Sequence, residues 1–129
     1  MILLVKSDTA ILELYLARVT EVIATSSTEL GRAMAKNLPK KIEEFLSNNN
    51  CQYSDLAGLA IYSGPGSFTG LRISHTFLNA CAYSLNIPIV GATGENWINE
   101  SLQKLQDGVD DRIALPLYGS EAHITLPKK

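Results

Sequence analysis

The feature that most constrains this chain is a glycine-rich run set between two apolar stretches, Ser63-Gly64-Pro65-Gly66-Ser67-Phe68-Thr69-Gly70-Leu71-Arg72-Ile73. Before it, Leu56 to Ser63 (LAGLAIYS) is short, apolar and uncharged, the pattern of a buried strand. After it, apolar residues recur at helical spacing from about Thr69 to Leu85, and Pro88 to Ala92 (PIVGA) reads as a further strand. Strand, glycine turn, helix and strand make a crossover unit, and such units are right-handed and build parallel sheet. Gly64, Gly66 and Gly70 permit backbone conformations or close approaches that a Cβ would resist, so Gly66 is expected at a positive-φ or close-packed site.

The residues before the loop predict a different arrangement. Residues 1–6 (MILLVK) suit a buried strand, and Ala10 to Ala17 alternate, with Leu12, Leu14 and Leu16 on one face and Ile11, Glu13 and Tyr15 on the other. A tight connection at Arg18 to Thr20 leads to a third strand, about Glu21 to Ser26, which favours an antiparallel meander. A helix follows, with Thr28 as its cap and Leu30, Met34, Leu38, Ile42 and Phe45 at helical spacing. Pro39 inside that pattern predicts a kink or a restart. Glu95 to Leu105 reads as a third helix. The expected fold is α/β: a mixed five-stranded sheet with helices on its faces. Residues 1–106 are expected to form this domain and residues 107–129, with two prolines, an arm lying over it.

Composition narrows the function. With 129 residues, 46% hydrophobic, 19% charged and a net charge of −2, the chain suits a soluble globular domain and lacks the basic footprint of a nucleic-acid binder. No apolar run approaches the ~20 residues of a membrane span, and the N-terminus lacks signal-peptide features, so a cytoplasmic, membrane-free protein is expected. Cys51 and Cys81 have neither metal spacing nor a disulfide framework and read as free thiols. His75 and His123 stand alone, each more in keeping with a structural role than with a ligand. No grouping of nucleophile and base is apparent, so neither catalytic residues nor a metal site are expected.

Two readings of the glycine loop stay open on its residues. One is a purely architectural turn. The other is an anion site, in which Ser67 or Thr69 caps the following helix, its free N–H groups face the anion and Arg72 reinforces them. The spacing G-x-G-x-x-x-G is not the dinucleotide fingerprint, and Leu71-Arg72 stand where a phosphate-binding P-loop carries Lys-Ser/Thr.

The run SGPGSFTGLRI closely resembles the GPGSFTGxRIG signature of the TsaB (YeaZ) family, departing at Ser74, where that family prefers glycine. The stretch Leu85-Asn86-Ile87-Pro88-Ile89-Val90-Gly91, the opening MILLVKSDTAILELYL and the helix with Leu38-Pro39 are similar too, so the resemblance covers roughly residues 1–105. It implies the ribonuclease H-like N-terminal half of the actin-like ATPase fold. It implies a non-catalytic partner of the catalytic subunit TsaD in tRNA threonylcarbamoyladenosine synthesis. The ATPase TsaE would act through the complex, and tRNA would be met only indirectly. No cofactor is expected. Lys6-Ser7 align with the Asp-Thr/Ser pair that usually faces nucleotide and metal in this fold, and lysine cannot hold Mg²⁺. The second lobe that closes a nucleotide cleft is also expected to be missing, as the chain passes from Gln106-Asp107-Gly108 to a segment resembling the family's P-x-Y terminus.

On the first helix, apolar positions cover an arc of roughly 160°, wider than the ~100° stripe one core face requires. Leu30, Gly31, Met34, Ala35, Leu38 and Ile42 are therefore expected to form a partner interface as well as core. The family's habit of pairing its first two helices with those of a partner implies TsaD binding, or a homodimer when the chain is alone. The competing expectations are a small nucleotide- or metal-dependent hydrolase or nuclease, using carboxylates such as Asp8, Glu13 and Asp55, and a self-associating structural protein.

Overall fold

The computed structural model describes residues 1–66 and 68–117. Strand β1 (Ile2–Lys6) is apolar on both sides because it lies in the middle of the sheet, with Leu3 and Val5 facing one layer of helices and Ile2 and Leu4 the other. It pairs antiparallel with β2 (Ile11–Arg18), which pairs antiparallel with β3 (Glu21–Glu29). On its other side β1 runs parallel to β4 (Gly58–Tyr62), and β4 runs parallel to β5 (Ile89–Ala92). The order β3-β2-β1-β4-β5 is the mixed five-stranded sheet that the sequence predicts.

Helices α1 (Met34–Asn48) and α2 (Phe68–Leu85) cover one face. Leu38, Ile42, Phe45 and Leu46 from α1, with Leu78 and Ala82 from α2, pack on Leu12, Leu14, Leu16, Leu59, Ile61 and Ile89 of the sheet. Helix α3 (Trp97–Gln106) covers the other face, where Trp97 and Leu102 meet Ile2, Leu4, Ala60 and Val90. The alternation of Leu12, Leu14 and Leu16 thus points these residues to the α1 and α2 side, as expected. A bulge between Leu16 and Ala17, opposite Val22 and Ala24, leaves Ile23 unpaired and sends Val22 and Ala24 to opposite faces.

Two local expectations, the Thr28 cap and the restart at Pro39, are corrected. Strand β3 continues to Glu29, so Thr28 pairs with Leu12 rather than capping a helix. The chain then turns through a single 3-10 turn, Gly31–Ala33, with Gly31 at φ +50°, before α1 begins. Pro39 neither breaks nor restarts α1, which is continuous through it. Its missing N–H withdraws one helical bond from the carbonyl of Ala35, in the first turn.

The segment after α3 returns along the free edge of β5. Asp111 donates its N–H to the Ile89 carbonyl at 2.9 Å, while the carboxylates of Asp110 and Asp111 accept the N–H groups of Ile89 and Gly91 at 3.1 and 3.0 Å. Asn79 of α2 then clips Ala114 through two amide bonds, of 2.9 and 2.8 Å. Removing a half-buried polar group that satisfies both polar atoms of a buried peptide costs about 1–3 kcal/mol. Asn79→Ala is expected to lower stability by that amount in urea unfolding and to speed tryptic cleavage after the exposed Arg112.

Candidate functional site

The described part of the glycine loop packs on the β1–β2 turn. A Cβ placed on Gly66 would overlap the Cβ of Asp8, and one on Gly70 would overlap the carbonyl oxygen of Ser7. Ser7 is fully buried and its Oγ donates to the Gly70 carbonyl at 2.8 Å. Gly64, at φ +109°, faces the carbonyl of Leu117, whose N–H donates to Ser63 at 2.6 Å. Three glycines therefore receive two segments of chain, the β1–β2 turn at Gly66 and Gly70 and the stretch that reaches Leu117 at Gly64. Gly66 is the close-packed site expected of it, with no positive φ.

Of the residues assigned to an anion site, Ser67 lies outside the described residues. Helix α2 begins at Phe68, so Thr69 sits inside its first turn rather than at the cap. Thr69 and Arg72 are both exposed, and Arg72 has no ion pair among the described residues. Thr69 and Gly70 border an open groove of about 330 Å³ with Thr9, Ala10, Gly31, Arg32 and Met34. Arg32 is the cation on that wall.

Beside the loop, the end of β1 carries a cluster the sequence reading did not assemble. Lys6 Nζ lies 2.5 Å from an Asp8 carboxylate oxygen, 3.9 Å from Glu13 and 4.7 Å from the centre of the Tyr62 ring. Tyr15 donates its hydroxyl to Glu13. Burial raises the Tyr15 pKa, and the hydrogen bond and charge of Glu13 raise it further, so the phenol stays protonated. Tyr15 and Tyr62 set their rings edge-on to the buried Trp97, at 5.9 and 5.8 Å. The signal was present in part: alternation puts Glu13 and Tyr15 on one face, but only the β1–β4 register brings Lys6 to Tyr62.

The carboxylates that a nuclease would gather are not together. Asp8 and Glu13 both converge on Lys6, whereas Asp55 lies at the opposite end of the sheet, where its carbonyl accepts from the N-terminal amine of Met1 at 3.3 Å. Among the described residues no group of three His, Cys, Asp or Glu could hold a metal ion, and no helix is long and apolar enough to cross a membrane. Cys51 is buried and Cys81 half-buried; both are free, and burial pushes both thiols up from their ordinary pKa.

The first-helix residues divide. Met34, Leu38 and Ile42 are buried in the chain's own core, so this correction removes them from any outward surface. Leu30 is partly buried against that core and precedes the helix, as does Gly31. Gly31 and Ala35 are exposed. On α2, Tyr83 is 91% exposed, an aromatic that sequence reading passed over.

Comparison with known proteins now decides the family. The family model described as TsaD: tRNA N6-adenosine threonylcarbamoyltransferase matches residues 18–99, more than half of the chain. The chain belongs to this family. Its relatives include the tRNA threonylcarbamoyladenosine biosynthesis protein TsaB of Bacillus subtilis (strain 168), 32% identical over 88 residues, 68% of this chain and 38% of the relative. The tRNA N6-adenosine threonylcarbamoyltransferase of Clostridioides difficile (strain 630) is 28% identical over 95 residues, 73% of this chain and 28% of the relative. Among solved structures, YeaZ from Pseudomonas aeruginosa superposes with a TM-score of 0.65 at 22% identity, covering 71% of this chain and 43% of that one. The chain is TsaB-like, and it spans less than half the length of each of these relatives.

Two measurements probe the site. Gly66→Val forces the Asp8 backbone away and is expected to destabilise by about 1–3 kcal/mol in thermal or urea unfolding. His75 is buried, and Nε2 has no partner among the described residues while Nδ1 meets the Leu71 carbonyl at 2.7 Å. Burial lowers its pKa from the ordinary 6.5, outweighing the opposing effect of that hydrogen bond. The folded state therefore binds fewer protons than the unfolded one just below pH 6.5, and its stability is lost as the pH is lowered there. His75→Gln is expected to flatten that slope in unfolding measurements between pH 7 and 5; an unchanged slope would assign it to other groups.

Proposed function

We propose that this TsaB-like chain acts in tRNA threonylcarbamoyladenosine synthesis as a non-catalytic, cytoplasmic partner of a TsaD-like catalytic subunit. A TsaE-like ATPase would act through the same complex, and tRNA would be met only indirectly. The family match to threonylcarbamoyltransferase and the TsaB relative support the pathway. The observation that carries the non-catalytic reading is Lys6 at the end of β1. It draws Asp8 and Glu13 onto itself, so the two carboxylates serve an internal ion pair rather than a metal or a reacting group.

The partner surface in this reading is the outward side of α1 and α2, which lie together on one face of the sheet. The small exposed Gly31 and Ala35 allow another helix to approach closely, and α2 offers the exposed Thr76, Ala80 and Tyr83 at helical spacing. A large exposed aromatic flanked by small residues suits an interface anchor. The same surface would join two copies when the catalytic subunit is absent.

Ala35→Glu tests this. The position is exposed and in the first turn of α1, where a carboxylate is favoured by the helix dipole, so the fold should be undisturbed. The expected outcome is loss of both homodimer and TsaD capture in a pull-down with the cognate subunit, with the circular dichroism spectrum unchanged. Capture equal to the unsubstituted protein would place the interface elsewhere.

A further inference from the structure

Residues 110–117 form a strap that closes the β5 edge and then runs beside α2. It meets the helix at two levels. Asn79 holds Ala114, and Leu71 crowds the same point beside Gly64 as the carbonyl of Leu117. Leu71, His75 and Asn79 are four residues apart, so they line one side of α2. From Leu71 to Asn79 the helix rises about 12 Å, and the three residues of chain from Ala114 to Leu117 reach about 10 Å. The strap therefore passes alongside His75. Ala114 is buried and Pro116 half-buried, whereas Ile113, Leu115 and Leu117 are exposed, so the inward side of the strap over the imidazole is apolar.

The surroundings of the ring suit only its neutral form. Nδ1 faces the Leu71 carbonyl, which can only accept, so Nδ1 carries the proton. Nε2 is then a buried lone pair with no partner among the described residues. No charged group answers the ring from the elements around it. Strands β4 and β5 carry none, and Tyr62 points to the Trp97 side of the sheet. On the strap, Asp110 and Asp111 are turned to β5 and Arg112 is exposed, as is Arg72 on α2. Helix α1, with its lysines and glutamates, packs over β2 on the opposite flank of α2. Burial and the Leu71 bond are accordingly the only influences on the proton affinity of His75.

A proton on Nε2 creates a buried donor and a buried charge together, and both need water. Water can arrive by dislodging α2 or by lifting the strap. Helix α2 is wedged against α1 and the sheet through Leu78 and Ala82. The strap is held to the helix by one amide side chain and turns three large apolar residues to solvent. The element with fewer buried contacts opens first.

We propose that His75 is an acid-sensitive latch beneath this strap. Proton uptake at Nε2 lifts residues 110–117 off α2 and off β5, while the sheet and its three helices stay folded. The opening releases the N–H groups of Ile89 and Gly91 and the carbonyl of Ile89, and so restores a sheet edge that the strap keeps closed at neutral pH. With the ring meeting water in the open form, the opening constant rises about tenfold per pH unit as the pH falls from 6.5 towards the lowered pKa of the buried ring.

The test is hydrogen exchange on the full chain at pH 7.5 and 5.5, read as protection relative to the unstructured rate at each pH. The amides of Ile89, Gly91 and Ala114 are expected to lose protection several-fold, up to about tenfold, while those of β1 keep theirs. His75→Gln has nothing to titrate there and is expected to hold the protection of the strap constant. Latch and strap are linked in both directions. Asn79→Ala is therefore expected to raise the imidazole pKa towards 6.5, read from the NMR of the ring protons with His123→Gln removing the other histidine. That titration needs no substitution at His75, so it decides even where glutamine is not accommodated. The proposal is overturned by strap protection that ignores pH, or by equal losses in β1, which would make the event global unfolding. It is also overturned by an unmoved imidazole pKa in Asn79→Ala, or by a loss that persists in folded His75→Gln, which would assign the response to Asp110 and Asp111.

Discussion

The docking of the β1–β2 turn against the glycine loop is the contact on which the rest of the arrangement depends. Strands β1 and β4 are neighbours in the sheet, but the turn and the loop that follow them can come together only where no Cβ intervenes. Gly66 and Gly70 provide those gaps for Asp8 and Ser7, and the buried Ser7 hydroxyl closes the contact on Gly70. Because Gly70 already belongs to α2, fixing the turn fixes the start of that helix too. The glycines thus act through close packing, and φ +109° at Gly64 is the left-handed exception, placed where the backbone of Leu117 arrives.

That docking also decides what the ends of the parallel strands can do. In open α/β sheets, ligands gather beyond the carboxyl ends of the strands. Here the same region is occupied by the chain's own groups: Lys6 with Asp8 and Glu13, the Tyr62 ring beneath the ammonium, and Ser7 turned to Gly70. A lysine with two carboxylates and an aromatic face has its charge answered locally. Anion recognition would have to fall instead to groups outside this cluster, such as Arg32 on the neighbouring groove.

Much of the fold was legible because its signals are local. Leu12, Leu14 and Leu16 alternate on a strand with one covered and one partly open face, and LAGLAIYS before the glycines could only be a buried strand. The boundary of β3 was not legible, because Thr25, Ser26, Ser27 and Thr28 have no apolar alternation. Their strand state comes from pairing with β2, a long-range cause that no local pattern carries. The restart expected at Pro39 fails for a related reason: tertiary packing of Leu38 and Ile42 keeps α1 helical through a residue that disfavours it. At the site, the glycine loop was visible as a motif, whereas the aromatic cluster around Trp97 draws on β2, β4 and α3 and becomes apparent only once the register is known.

The width of the apolar arc on α1 has a structural cause that the pattern alone could not separate from partner binding. The helix is wedged between two neighbours, β2 below and α2 beside it, so it buries residues toward both. Met34, Leu38 and Ile42 form one line, and Phe45 and Leu46 widen it toward the end of the helix. Without Leu30, which precedes the helix, the buried residues of α1 span roughly 120°, and two buried contacts account for that, since each takes a stripe of about 100° and the stripes overlap. Breadth of apolar surface is therefore a poor guide to interfaces in a layered α/β domain. What remains informative is residue size on the outward side. Ala35 is small and exposed, and its own carbonyl lacks the helical bond that Pro39 cannot donate. In the proposed partner reading, that small side chain is what lets a second helix come close to the backbone of α1.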